Sequence, residues 1–144
     1  MARKLMSSDE AAQRENAIDA MERFQARVTI PILFDTDMTA HIMGSGVLFT
    51  HDGRHFILTA AHLFDPPFNE EHFEKIASPD VRTLARPTTF GPLKFTMSDR
   101  KPFDFDVAII ELNDAGKIAR LKHEWQFLTL GQIAMPTAEP LLCL

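Results

Sequence analysis

The sequence of 144 residues is notable first for what it lacks. It has one cysteine, Cys143, so no disulfide can form within the chain. No apolar run approaches the roughly 18 residues that a membrane-spanning helix requires, and the first residues lack the apolar stretch of a secretory signal. Together these absences favour a reducing compartment, and we expect a cytoplasmic protein.

Positive charge is also scarce. Fifteen Lys and Arg residues stand against twenty Asp and Glu residues, which gives a formal net charge of −5 at pH 7. Because the chain has no basic patch, we expect neither nucleic acid nor an anionic membrane as a partner. Hydrophobic residues make up 45% of the chain and charged residues 24%. This balance, at this length, predicts one globular domain.

The beginning of the chain carries a helical pattern. Residues 7–26, SSDEAAQRENAIDAMERFQA, predict a helix, and Ser7 with Glu10 fits a capping box at its start. The apolar residues of this segment recur at helical spacing and form one stripe: Ala17, Ile18, Met21 and Phe24. We expect this stripe to pack on the protein's own core, with docking to a partner helix as the alternative.

After this segment the apolar period changes to two, which is typical of strands. RVTIPILFD (27–35) alternates in this way, and Pro31 indicates an edge strand or a bulge. Two further strands meet at a hairpin turn built on Asp52-Gly53. The strongest strand is DVAIIEL (106–112), and short strands are predicted around residues 73–77, 81–85, 92–97 and 126–130. Many short strands at close spacing predict an antiparallel barrel or sandwich.

Two residues of this pattern suggest chemistry. ILTAAHLF (57–64) ends a strand with two alanines and then His62, whose imidazole we expect at the rim of the sheet. Asp106 opens the strongest strand, and its apolar neighbours predict that it is largely buried: Phe103, Phe105, Val107 and Ala108. A buried carboxylate needs a hydrogen-bond donor. A histidine N–H is a suitable donor, and such a pair would fix the tautomer of the imidazole.

The motifs around these residues resemble a known family. GSGVLFTHDGRHFILTAAHLF (44–64) resembles the N-terminal barrel of the trypsin-like (chymotrypsin-fold) serine peptidases, in which a T-A-A-H motif bears the catalytic histidine. DFDVAIIEL (104–112) resembles the family motif that bears the catalytic aspartate. The resemblance therefore implies that His62 is a general base and that Asp106 orients it. The two lie 44 residues apart, close to the separation of about 45 in chymotrypsin.

The third member of the family's triad does not appear. No G-D-S-G-G or similar serine motif occurs in the 144 residues. In chymotrypsin the serine follows the aspartate by about 93 residues, whereas this sequence ends at Leu144. The resemblance implies that the serine, the oxyanion hole and the specificity pocket belong to a second barrel that begins near the last residues, EPLLCL. We therefore expect this chain to be inactive alone.

Other nucleophiles and metal ligands are weaker candidates. Ser45 lacks the G-x-S-x-G elbow that exposes a nucleophile, and we expect it to be a small packing residue in a strand. Cys143 is expected to be a strand residue rather than a catalytic thiol. His41, His51 and His55 surround one hairpin, where a zinc site is the alternative to solvated turn histidines. We expect no metal and no cofactor.

The sequence thus predicts an all-β protein. Residues 1–26 form a helical extension, and residues 27–144 form a six-stranded antiparallel Greek-key barrel of trypsin-like type, the first of the usual two. The implied function is half of a serine endopeptidase, and the alternative is a pseudopeptidase that acts as a protein-binding or regulatory module. The expected partners are a protein or peptide substrate, a chain that supplies the second barrel, or a second copy docked through an exposed barrel face.

Overall fold

The computed structural model describes residues 7–36, 39–80, 86–97 and 105–132. Over these ranges the chain is mostly β, and an antiparallel sheet that curls into a half-barrel follows an N-terminal helix. The helices are α1 (Ser8–Val28) and α2 (Ala115–Glu124). The strands are β1 (Thr29–Asp35), β2 (Ala40–His51), β3 (Arg54–Thr59), β4 (Ile76–Ser78), β5 (Thr88–Thr89), β6 (Leu93–Met97), β7 (Ala108–Leu112) and β8 (Leu128–Thr129).

The predicted start of α1 is confirmed by its capping hydrogen bonds. The Ser7 hydroxyl accepts the backbone N–H of Glu10 at 3.2 Å, and the Glu10 carboxylate accepts the backbone N–H of Ser7 at 2.9 Å. This reciprocal pair satisfies two of the orphan donors at the helix start. The helix ends at Val28, two residues beyond the predicted end, and β1 begins at the next residue.

The packing predicted for α1 is wrong. Its apolar stripe does not pack on the core, because Ile18, Met21 and Phe24 are 40%, 56% and 42% exposed. Among the residues of α1 only Val28 is buried. The chain passes from α1 into β1 without a turn, since the residue that caps the helix already has extended backbone angles.

The sheet has the order β5-β4-β1-β2-β3-β7-β6, and β8 pairs in parallel with β2. The register of β1 on β2 shifts between Ile32 and Leu33, and the extra residue is Met43 of β2, so the bulge lies in the partner strand and not at Pro31. Pro31 lies in the part of β1 that pairs with β2, before the residues that pair with β4. The hairpin between β2 and β3 is confirmed. Its turn residues Asp52 and Gly53 have φ angles of 49° and 71°, as a two-residue turn between twisted strands requires.

The core lies on the concave side of the sheet, where alternate residues of each strand point inward. The fully buried aliphatic residues come from five strands and α2: Ile30, Ile32, Leu48, Ile57, Ile76, Ile110 and Leu121. The buried guanidinium of Arg120 joins α2 to β4, because it donates to the Ser78 hydroxyl at 2.6 Å and to the Pro79 carbonyl at 3.2 Å. The curled sheet and α2 therefore share one core.

Three details of the sequence-based prediction differ from the structure. The described sheet has eight strands rather than six, because β5 and β8 add short pairings of two residues each. Residues 73–75, predicted to begin a strand, lie in a 3-10 helix (Glu70–Lys75). The helix α2 was not predicted. The strand predicted at 81–85 and the last residues, with Cys143, lie outside the described residues.

Candidate active site

His62 lies on a short turn of 3-10 helix, Ala61–Phe64, that begins two residues after β3 ends. Ala61 and Phe64 anchor this turn in the core, since they are only 2% and 5% exposed. His62 points the other way, and its side chain is 57% exposed. The turn is therefore held by buried side chains on one side and exposes the His62 imidazole on the other, at the rim of the sheet as predicted.

Asp106 reaches His62 because of the pairing between β3 and β7. Thr59 lies opposite Ala108 in this antiparallel pair, so the chain leaving β3 and the chain entering β7 meet at one edge of the sheet. The Oδ1 atom of Asp106 accepts the backbone N–H of His62 at 2.7 Å. Its Oδ2 atom forms a hydrogen bond with Nδ1 of His62. One carboxylate therefore binds both the main chain and the ring of His62.

This double contact decides which ring nitrogen can act as a base. An ionised carboxylate only accepts hydrogen bonds, so Nδ1 of His62 must carry the proton that it shares with Asp106. In the neutral ring the lone pair then belongs to Nε2. The backbone contact to Oδ1 restricts rotation of the carboxylate. The pair is therefore a proton acceptor of fixed tautomer and orientation, the arrangement that precedes nucleophilic catalysis.

The predicted burial of Asp106 is wrong. Its side chain is 43% exposed, and the adjacent Phe105 and Val107 are 59% and 39% exposed. The reason is that β7 begins only at Ala108, which is fully buried. Residues 105–107 precede the sheet, so their side chains do not enter the core. Phe103, which we expected beside Asp106, lies outside the described residues.

Gly44 of β2 allows the turn that carries His62 to pack closely against this strand, and Gly46 allows the end of β3 to do the same. A Cβ on Gly44 would lie 2.8 Å from Leu63 Cδ1, and a Cβ on Gly46 would overlap the side chain of Ile57. The Thr59 hydroxyl donates to the carbonyl of Ser45, between the two glycines, at 2.7 Å. The G-S-G stretch therefore positions the site through its small size. The Ser45 residue itself is exposed rather than packed.

The contact between the His62 backbone and Asp106, and this role of the glycines, were not predicted. The backbone contact leaves no trace in residue types, because every residue except proline offers an N–H. The two glycines did leave a signal, because glycine within a strand often marks a place where another segment approaches closely.

The other histidines of the hairpin region have separate environments. His41 Nε2 lies 2.9 Å from the Thr39 hydroxyl, and His51 Nε2 lies 3.3 Å from Asp52. His55 packs edge-on against an aromatic ring, and burial, together with a nearby lysine charge, lowers its pKa. Within the part of the chain that the structure describes, no three His, Cys, Asp or Glu residues are grouped to hold a metal ion.

A shallow pocket of about 350 Å³ adjoins the turn that carries His62. Met43, Leu63 and Phe68 contribute its apolar lining, and His72 contributes a ring at its side. His72 is half-buried, because Nδ1 accepts the backbone N–H of Asn69 at 2.9 Å and the ring packs on aromatic neighbours. His123, on α2, is exposed.

Apolar side chains remain exposed on the strand ends that carry the His62–Asp106 pair. They are Met97 (48%), Phe105 (59%) and Val107 (39%). Met97 lies opposite Ala108 at the start of β7, and Phe105 and Val107 directly precede this residue. We call these three residues the rim patch.

Comparison of the chain with protein-family models, with curated proteins and with solved structures found no match. No helix in the described ranges has both the length and the apolar character needed to cross a membrane. What bears on function is therefore the geometry of the His62–Asp106 pair, the strands that position it, and the motifs in which the two residues occur.

Proposed function

We propose that this chain is the part of a trypsin-like serine endopeptidase that carries the general base. The observation that carries this proposal is the double contact of Asp106 with His62, through the backbone N–H and through Nδ1. A carboxylate that only stabilised the fold would not need to hold the ring of an exposed histidine. The contact orients the ring and leaves Nε2 as the proton acceptor.

The strand order supports the fold that goes with this proposal. The strands β4, β1, β2 and β3 lie side by side in that order, and each pairs antiparallel with its neighbour. A fourth strand that returns to lie beside the first of three consecutive strands is the definition of a Greek key. We propose that β7 and β6 extend this unit toward a closed barrel, the first of two.

The proposed reaction is hydrolysis of a peptide bond. As a serine hydroxyl attacks the scissile carbonyl, His62 Nε2 takes its proton, and the same atom later returns the proton to the leaving amine. Asp106 keeps the ring in the required tautomer and stabilises the positive charge that the ring then carries. We propose that a second unit, on the same polypeptide or on another, covers the rim patch and supplies the serine with its oxyanion hole.

The test is the peptidase activity of this protein recovered from its natural source with whatever chain accompanies it. We expect hydrolysis of a fluorogenic protein substrate, and we expect His62→Ala to reduce it by a factor of about 10³ or more, because the proton acceptor is lost. His123→Ala is the matched control, since His123 is an exposed histidine distant in sequence from the motifs. Hydrolysis that survives His62→Ala would contradict the proposal.

The alternative is a pseudopeptidase, a binding module with the peptidase fold. The rim patch favours it, because a surface that would receive a second barrel can equally receive a protein partner. In this case the recovered protein would bind its partner without hydrolysing it, and His62→Ala would leave the affinity unchanged. The same variant thus separates the two functions.

A further inference from the structure

A threonine hydroxyl is buried beside the candidate active site. Thr59 is the last residue of β3 and is 9% exposed. Its side chain points to the same side of the strand as that of Ile57, which is fully buried, because side chains alternate along a strand. A buried hydroxyl costs free energy unless it forms a hydrogen bond, and valine has nearly the same shape without that cost. Packing alone therefore does not explain the threonine.

The hydroxyl of Thr59 fills a gap in the pairing of the sheet. It donates to the carbonyl oxygen of Ser45 in β2 at 2.7 Å. On the side of β1, Ser45 lies opposite Pro31, which has no N–H to donate. On the side of β3, the pairing with β2 ends at Val47 and Leu58, so Ser45 lies beyond it. Among the described strands, the Thr59 side chain therefore supplies a donor that the backbone pairing does not give to Ser45.

Thr59 lies where three strands are held together next to the site. It is opposite Ala108 of β7, and its hydroxyl reaches β2. His62 follows Thr59 by three residues, and Asp106 precedes Ala108 by two. The two segments that leave the sheet here meet again at the hydrogen bond from the backbone N–H of His62 to Asp106. A shift of the end of β3 relative to β2 would therefore be passed on to the ring of His62.

The turn that carries His62 also lies close to β2. A Cβ on Gly44 would come within 2.8 Å of Leu63 Cδ1, so Leu63 packs directly on this strand. The two contacts differ in kind, because packing of Leu63 sets how near the turn lies, whereas a hydrogen bond from Thr59 to a fixed carbonyl also sets direction. β2 therefore supports the turn on both sides of His62 in the sequence.

We propose that Thr59 is a positioning residue for the general base. Its hydroxyl fixes the end of β3 on β2, and with it the place from which the turn presents His62 to Asp106. It acts through the backbone of the turn and not on the reacting atoms. In a reaction that depends on a proton passing to Nε2, a displacement of this atom by about 1 Å can cost a factor of about 100 in rate.

This role rests on the proposed function, because the position of Nε2 affects a rate only if that atom takes up a proton. The competing explanation is a hydroxyl that stabilises the sheet and does nothing for the ring. In that case its removal would lower the stability of the fold and leave the contact between His62 and Asp106 as it is. The two explanations therefore differ in what happens to the ring.

The first test is the imidazole NMR spectrum of the full chain carrying Thr59→Val, which removes the hydroxyl and keeps the shape of the side chain. We expect the Nδ1 proton of His62 to broaden or move upfield, because Asp106 no longer meets the ring at a fixed place. Thr59→Ser keeps the hydroxyl and should keep the signal. Thr88→Val is the matched control, since it removes a hydroxyl that donates to Asp80 at 2.8 Å from β5, at the edge of the sheet.

Two results would overturn the proposal. One is a His62 signal that Thr59→Val leaves unchanged, and the other is a signal that Thr59→Ser alters as much as Thr59→Val does. Circular dichroism checks that each variant folds. A measurement on the unchanged chain does not depend on any variant: we expect the hydroxyl proton of Thr59 to be protected from exchange with water, and free exchange would also overturn the proposal.

The second test is kinetic and uses the protein recovered from its natural source with whatever chain accompanies it. We expect Thr59→Val to lower kcat by a factor of about 10 to 100 with KM nearly unchanged, since the hydroxyl orients the base and does not bind substrate. Thr59→Ser should retain most of the activity. A change in KM alone, or an unchanged kcat in Thr59→Val, would overturn the role of Thr59 while the proposed function stands. If the unchanged protein hydrolyses nothing, the proposed function fails, and the NMR spectra still decide whether Thr59 positions the ring.

Discussion

Two isoleucines show how differently the two parts of this molecule use the same kind of pattern. Ile18 of α1 belongs to an apolar stripe of helical period and is 40% exposed, whereas Ile110 of β7 belongs to an apolar alternation of period two and is fully buried. Both patterns predicted the correct type of element. The comparison teaches that an apolar period specifies the element and the direction of its apolar face, but not whether this chain covers that face.

The difference has a structural cause. β7 lies between β3 and β6, so hydrogen bonds on both sides hold it in the sheet and one face must point into the core. α1 satisfies most of its backbone hydrogen bonds internally, and its last residue, Val28, is its only buried one. A helix can therefore form without being packed, but a central strand cannot. The candidate active site belongs to the packed part.

The strongest way to test this comparison is the same substitution in the two regions. We expect Ile110→Ala to lower the free energy of unfolding by about 2–5 kcal/mol, because it opens a cavity among fully buried side chains. Ile18→Ala should change it by less than about 0.5 kcal/mol, since Ile18 is exposed and alanine is a better helix former. Urea unfolding of the two variants and of the unchanged chain measures both effects.

Similar changes in the free energy of unfolding for Ile110→Ala and Ile18→Ala would contradict the contrast drawn between β7 and α1. A large loss of stability in Ile18→Ala would mean that α1 packs on its own chain after all. A small loss at Ile110 would mean that the β3–β7 region is not the rigid support on which the geometry of the site depends.

A smaller effect is expected from the glycines that bring β2 close to the site. A Cβ on Gly46 would overlap Ile57 and would lie 3.1 Å from the carbonyl oxygen of Leu58. We therefore expect Gly46→Ala to destabilise the fold by about 1–3 kcal/mol through overpacking. Gly131→Ala is the control, because the nearest atom to its Cβ would be 3.9 Å away. Equal stability of the two variants would show that β2 and β3 can move apart to accommodate the added Cβ at no cost in stability.

Local features explain most of what could be predicted from the sequence. The turn at Asp52-Gly53 and the cap at Ser7 depend on neighbouring residues only, so residue types identify them. The pairing of His62 with Asp106 is a long-range contact, and it was predicted from the resemblance of two motifs. Composition and apolar periodicity alone could not predict a contact between two residues 44 positions apart.

The parts that were missed depend on tertiary context or on a signal that was overlooked. The exposure of Asp106 and of the α1 stripe is decided by what the rest of the chain covers, which no local pattern records. The helix α2 did have a signal. Asp114 caps it by accepting the backbone N–H of Lys117 at 2.9 Å, and Ile118 and Leu121 recur at helical spacing, so the segment following Leu112 was predictable as a helix.

The central claim is that Asp106 fixes His62 as a base with its proton on Nδ1. The most direct measurement is the long-range ¹H–¹⁵N NMR spectrum of the imidazole rings at a pH where His62 is neutral. We predict that His62 shows the tautomer protonated on Nδ1, with a strongly deshielded Nδ1 proton that disappears in Asp106→Ala, while the spectrum of His123 is unchanged. A His62 ring protonated on Nε2, or one unaffected by Asp106→Ala, would contradict the claim.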